Sequence, residues 1–314
     1  MSPSQADPRI LLIHDDRPGH RSQLAGMESG LQSLCASQIT WKHYKAPIDR
    51  PLRADIIIGA GRRTHRSVLK HAKTMNAMSV SIMKPGHAIR RFDALICPTH
   101  DYLKESKYIL NTCGAINTLS THARQTDAAQ SKQGLILLGG PSKHFVWDQA
   151  SILDQVQSIT EDSTLDHWTL CDSPRSTTKL RDAIEKLSKR APHLSYAPYE
   201  STSKTALEQL MLSSRECWVS PDSVSMIYES LSAGCATGSL HLKPKIRLSR
   251  NRVLGGLQEL VENQTITSYD DWERGRLLQL PHKRFNEAKR AANWLLERYR
   301  DWREYTATGG TPRQ

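Results

Sequence analysis

Apolar residues in this chain come in short blocks, and residues that break a strand close each block. Ile10 to Ile13 run into His14, Asp15, Asp16 and Arg17, and then into Pro18, Gly19 and His20. That order reads as a buried strand followed by a loop. Comparable blocks predict strands near 39–44, 55–60, 78–83 and 93–97, with longer amphipathic stretches between them, the first a helix at about 22–36. Such alternation is the βαβ pattern of a parallel sheet.

Residues 121–134 are polar and lack apolar periodicity, so they read as a linker. The alternation then resumes, with strands near 135–139, 167–171, 193–197, 216–220 and 236–241 and helices near 147–160, 176–190, 203–213, 223–233 and 250–263. The expected class is α/β: two Rossmann-like domains facing a cleft, one over 1–120, the other over 135–282, followed by a terminal helix and tail over 283–314. That helix (284–305) gathers Ala288, Ala291, Ala292, Leu295, Leu296, Tyr299 and Trp302 near one face and is basic on the other. It suits a membrane surface or, more commonly, packing on a domain.

Length and charge narrow the function classes. The 314 residues exceed the usual size of one α/β domain. A formal net charge of +11 implies anionic partners. The cations are scattered and no helix-turn-helix or RNP-type signature is present, so nucleic acid is not an expected partner. Six separated cysteines with no C-x-x-C pair suit reduced thiols, and no signal peptide or apolar run of spanning length is present, so the expected location is cytoplasmic.

Three stretches carry candidate chemistry. In the first, His20 is a candidate general base, which Asp15 or Asp16 orients or replaces. In the second, "LILLGGPSKHF" (135–145), Gly139 and Gly140 allow a tight phosphate-approaching turn, with Ser142 and Lys143 to bind phosphate oxygens. The glycine spacing is neither that of a Walker A loop nor G-x-G-x-x-G, which argues against NAD. In the third, "CWVSPDSVSMIYESLSAG" (217–234), Asp222 or Ser223 is a natural helix N-cap and Gly234 ends the helix. Asp222, Ser225, Glu229 and Ser232 fall on one outward stripe, opposite Val224, Ile227, Tyr228 and Leu231. A glutamate two turns into such a helix can accept both hydroxyls of a ribose, with the N-terminal amides near a diphosphate.

The stretches "RPGH" (17–20), "GRRT" (61–64), "FDALICPTHD" (92–101), "CGAIN" (113–117), "LLGGPSKH" (137–144) and "SPDSVSMIYESLSAG" (220–234), in this order, resemble the mitochondrial fission "elongated mitochondria" family, and the chain resembles its bacterial members. The plant member of that family promotes mitochondrial fission by recruiting a dynamin-related protein, and the bacterial relatives look like glycosyltransferases. A more distant resemblance is to GT-B glycosyltransferases such as the peptidoglycan N-acetylglucosaminyltransferase. By that similarity Glu229 maps to the ribose contact, Gly139 and Gly140 to the diphosphate loop and His20 to the catalytic loop. The chain departs from the family at Pro174 and Arg175, where paired arginines are usual, and at 81–87, where an Asp-Pro-Arg-like segment is expected.

The resemblance implies metal-independent inverting transfer from a nucleotide-sugar, taken as a UDP-sugar, to an acceptor hydroxyl of an envelope lipid or polysaccharide. No permanently bound cofactor and no metal are implied, in keeping with the absence of a D-x-D motif. Partners are then the nucleotide-sugar, the acceptor and an anionic membrane touched peripherally, with the oligomeric state open. The rival readings are a non-catalytic interaction protein that retains the fold, and a nucleotide-sugar epimerase.

Overall fold

The computed structural model describes residues 7–47, 52–101, 103–122, 124, 127–162, 164–245, 252–282 and 285–311. The chain divides into two compact units, Met1–Thr121 with Asn286–Gln314, and His122–Phe285. In chain order the first unit holds β1 (Ile10–His14), α1 (Pro18–Gln32), β2 (Ile39–His43), β3 (Ile56–Ala60), α2 (His65–Met75), β4 (Met78–Ile82), β5 (Ala94–Pro98) and β6 (Ile109–Thr112). The second holds β7 (Gln133–Leu137), α3 (Gln149–Glu161), β8 (His167–Cys171), α4 (Thr178–Arg190), β9 (Leu194–Ala197), α5 (Lys204–Ser213), β10 (Glu216–Val219) and α6 (Val224–Ala233). It continues with β11 (Ala236–Ser239), α7 (Arg252–Glu262), β12 (Thr267–Ser268) and α8 (Tyr269–Glu273), after which α9 (Glu287–Ala307) returns to the first unit.

Both sheets are six-stranded and wholly parallel. The first has the order β2-β1-β3-β4-β5-β6, the second β12-β11-β10-β7-β8-β9. The second is the doubly wound Rossmann order, and the first begins as the flavodoxin-like order does. Strand direction of winding reverses between β1 and β3 in one unit and between β7 and β10 in the other. Loops diverge at such switch points, leaving a crevice at the carboxyl edge where ligands bind.

Burial explains why the strands read so clearly. Successive residues of β1 serve opposite cores: Leu12 packs with Leu24, Met27, Ile58 and Leu295, while Leu11 and Ile13 pack with Ile57, Val68 and Leu95. A strand covered on both faces is apolar at every position. The second unit's core is built around Trp168 and Trp218 with Ile136, Ile152, Leu170 and Ile184.

Several elements differ from expectation. β6 and β12 were not predicted as strands, because an edge strand of four residues and one of two present too little apolar alternation to register. α1 starts at Pro18, not near 22, because proline's fixed φ and missing N–H suit the first helical turn. The start of the helix expected from 250 lies outside the described residues.

α9 lays Ala288, Ala291, Ala292, Leu295 and Tyr299 into the core of the first unit. It comes close to α1 at Gly30, where an added Cβ would lie 2.3 Å from the carbonyl oxygen of Ala288. No helix among the described residues is long and apolar enough to cross a membrane.

Candidate functional site

In the first unit the switch point is occupied by an Asp–His couple. His20 sits in the first turn of α1, so the Pro-Gly-His stretch is a helix start and not the loop expected from it. The reversal at the end of β1 falls instead on Asp16, whose φ is 64°. Aspartate tolerates this left-handed conformation better than most residues. Gly19 needs no such freedom, and a Cβ there would meet nothing within 4 Å.

Asp15 is buried, and its Oδ1 lies 2.7 Å from His20 Nδ1. Burial alone would raise the Asp15 carboxyl, but the hydrogen bond and positive field of His20, with Arg17, outweigh it and hold it below its usual range. An ionised carboxylate only accepts, so Nδ1 carries the proton and donates it. In the neutral imidazole this tautomer leaves Nε2 as the accepting nitrogen, the arrangement a general base requires. Of the two aspartates, Asp15 therefore orients His20. Asp16 is largely exposed and lies 3.1 Å from both His14 Nδ1 and His43 Nε2.

The sequence reading missed what stands under the imidazole. Gly61, at φ 87° directly after β3, supports the His20 ring so closely that a Cβ would come within 2.2 Å of Cε1. His65 follows at the start of α2, its imidazole pushed down by burial and by the positive fields of Arg62 and His20. The glycine that closes the β3 run was the signal for this support.

In the second unit the loops after β7 and β10 meet at the switch point. Gly139 N–H donates to Ser220 Oγ at 2.8 Å, and Gly140 N–H donates to Asp222 Oδ2 at 3.2 Å. Arg175 crosses between them, 2.7 Å from Asp222 Oδ2 and donating to Ser223 Oγ at 2.7 Å. The loop after β8 closes the group, with Ser173 and Ser176 hydroxyls donating to the Gly139 carbonyl.

These contacts correct several expectations. Gly139 and Gly140 are required by close packing, not by a turn of unusual φ. A Cβ at 139 would lie 2.1 Å from Asp222 Oδ2 and 2.4 Å from Ser223 Oγ, and one at 140 would lie 2.4 Å from the Arg175 carbonyl oxygen. Ser223 is the N-cap residue of α6, but neither its side chain nor that of Asp222 caps the helix. Both are committed to Arg175, and the Asp222 side chain is fully buried. Nor is the stripe on α6 wholly outward: Ser225 is exposed, but Ser232 is buried, because the helix packs between α5 and strands β10 and β11.

The missing cap has a chemical consequence. Met226 and Ile227 N–H groups reach the Ser223 carbonyl, whereas those of Val224 and Ser225 meet no acceptor among the described residues. Free amides at the positive end of a helix, beside a guanidinium whose side chain is 42 % exposed, are chemically suited to a phosphate-type anion. Farther along α6, Glu229 is half-buried against α5. Burial pushes its carboxyl up to about 7, with Lys204 pulling down and Glu208 pushing up.

Lys143 is exposed, and Ser142 turns its hydroxyl oxygen to the N–H groups of His144 and Phe145, at 3.2 and 3.3 Å. Replacing Gly139 with Ala should cost about 1 to 2 kcal/mol, since the Asp222 and Ser223 side chains can yield only in part. A lowered urea midpoint at unchanged slope is the expected reading, and an unchanged midpoint would show that the cluster is loose.

Two parallel Rossmann-type sheets, each presenting polar side chains at its switch point, define a GT-B-like protein. The sequence matches the family described as Mitochondrial fission ELM1 over residues 7–299, and the chain belongs to that family. No curated protein matches it in sequence.

Among solved structures, the UDP-GlcNAc 2-epimerase from Methanocaldococcus jannaschii superposes with a TM-score of 0.60 at 10% identity, over 92% of this chain and 99% of that one. The UDP-GlcNAc 2-epimerase from Neisseria meningitidis bound to UDP-GlcNAc gives 0.56 at 9% identity, over 93% and 100%. A UDP-glucosyltransferase from Polygonum tinctorium capable of glucosylating indoxyl gives 0.50 at 11% identity, over 95% and 94%. At these identities the likeness is one of fold.

Proposed function

We propose that this protein transfers a sugar from a nucleotide-sugar to an acceptor hydroxyl by a single inverting displacement without a metal. The observation that carries the reading is the start of α6, with two N–H groups that lack acceptors among the described residues, beside Arg175, and Glu229 on the same helix. It suits a nucleoside diphosphate: the diphosphate at the amides, the ribose hydroxyls donating to Glu229. The Polygonum glucosyltransferase and the epimerase bound to UDP-GlcNAc, which share the fold, favour a UDP-sugar as donor.

In the reaction His20 Nε2 takes the proton of the acceptor hydroxyl, and the acceptor oxygen bonds to the anomeric carbon. The bond from that carbon to the diphosphate oxygen breaks, and its electron pair leaves on the nucleoside diphosphate. The α6 amides, Lys143 and the exposed part of Arg175 receive that charge. Because Asp222 already neutralises much of Arg175, the amides contribute more than that guanidinium does.

Calorimetric titration with UDP, GDP, CDP and their sugar conjugates, in metal-free buffer and beside Glu229→Ala checked for folding by circular dichroism, tests the donor site. One nucleotide should bind at micromolar strength in the parent protein only. Product analysis then separates transfer, which releases free nucleoside diphosphate, from epimerisation, which returns an intact nucleotide-sugar. A folded protein that binds no nucleotide sinks the reading and favours a non-catalytic interaction protein.

A further inference from the structure

A groove of about 1030 Å³ opens in the first unit between α2 and the 3₁₀ segment Gly86–Arg91. Arg62, Arg66, Lys70, Lys73, Lys84 and Arg91 line it, and no acidic residue does. None of the six is ion-paired among the described residues. Arg66, Lys70 and Lys73 follow one another at four- and three-residue steps, so they share a face of α2, and Arg62 stands in the turn that leads into it. Like charges at such spacing repel and weaken a helix, so the stripe is kept against its own electrostatics.

The opposite wall is held in a constrained shape. Met83 has φ 71°, an outlying conformation for a bulky residue, and Gly86 has φ 61°. Met83 N–H donates to Ile96 O at 2.8 Å, and Lys84 N–H to Asp101 Oδ2 at 3.0 Å. Strain over-determined in this way gathers at ligand sites.

Position supplies the third line of argument. The groove follows the carboxyl ends of β3 and β4, the edge where open α/β sheets bind ligands. Arg62 comes directly after Gly61, the residue beneath the His20 ring, and His65 lines the same groove.

We propose that this groove holds the phosphate groups of a ligand carrying two or more of them, and that this ligand is the acceptor; the second half rests on the transferase reading, the first half does not. Nucleic acid fits less well, because no Phe, Tyr or Trp lines the groove to stack a base. The large exposed apolar residues, Val146, Tyr199, Leu277 and Tyr305, lie elsewhere, so the groove would take a headgroup without inserting into a bilayer.

The test titrates the full chain with inorganic tripolyphosphate and, separately, with phosphatidylcholine vesicles bearing a minority of a polyprenyl diphosphate. Arg66→Gln with Lys70→Gln is compared with Lys132→Gln with Lys186→Gln, an equal charge change at exposed positions of the second unit. Loss of about tenfold or more in affinity is expected for the groove pair alone. Groove-dependent vesicle binding identifies a lipid headgroup as the source, and groove-dependent binding of tripolyphosphate alone identifies a soluble ligand. Equal weakening in both pairs, no binding by the parent protein, or tighter groove-dependent binding of an oligothymidylate overturns the proposal. UDP titration of the parent protein is run beside it: if the parent binds no nucleotide but groove binding persists, the acceptor assignment falls and the phosphate site stands.

Discussion

Glu229→Gln should make the protein more stable at pH 8 and bind UDP less tightly. Burial raises the Glu229 carboxyl from its ordinary 4.5 to about 7. Between those values the folded chain holds a proton that the unfolded chain has released. The stability this group contributes is thus fully present below pH 4.5 and is lost as pH rises through 7. The loss amounts to about 3 kcal/mol. A neutral amide of the same shape avoids it, so the variant should gain that amount at pH 8 and little below pH 5.

The same substitution removes a charged acceptor from the ribose hydroxyls, so UDP affinity should fall by roughly tenfold or more. In the parent protein UDP binding should strengthen as pH rises through 7, and in the variant this dependence should flatten. Thermal melts and calorimetry across pH 5 to 8 provide the check. A variant no more stable at pH 8 would mean that Glu229 is well solvated, and unchanged UDP affinity would remove it from the donor site.

The second large effect is expected at Gly30→Ala. The new Cβ would stand 2.3 Å from the carbonyl oxygen of Ala288 and 2.7 Å from its carbon. Both are helix backbone, which cannot rotate aside as a side chain can. α9 must shift as a whole, loosening Ala288, Ala291, Ala292, Leu295 and Tyr299 from the core.

Alanine also gains roughly 1 kcal/mol of helix propensity over glycine. The steric cost is larger, and a net loss of about 3 kcal/mol is expected. Urea denaturation measures it, and proteolysis should cut ahead of α9 more readily. A variant as stable as the parent would show that α1 and α9 are less tightly packed than the distances imply.

Much of the fold was legible because its cause is local. Strands buried on both faces run largely apolar and breakers mark where they end, so β1, β3 and the buried parts of β7 and β10 can be read directly, while β4 shows as an alternation of Met78, Val80 and Ile82 with Ser79 and Ser81. β6 and β12 were not legible, since edge strands of four and two residues carry little periodic signal. The polar clusters at strand ends pointed to His20, Asp15, Gly139, Asp222 and Glu229. Which atoms meet there was hidden, because the partners lie on separate loops. Asp222 looks like a helix cap in sequence and is instead the counter-ion of Arg175, 47 positions away.

By itself the sequence determined the α/β class, the two rounds of winding and the amphipathic character of the last helix, all of which follow from periodicity and breaker chemistry within a few residues. Only the tertiary structure decided that α9 belongs to the first unit, that Asp15 rather than Asp16 holds His20, and that Gly61, Gly139 and Gly140 are glycines because other groups press against them. It alone brought Lys84 and Arg91 opposite the cations of α2. Those outcomes depend on strand order, and strand order is set by how whole elements pack, which no short window of sequence records.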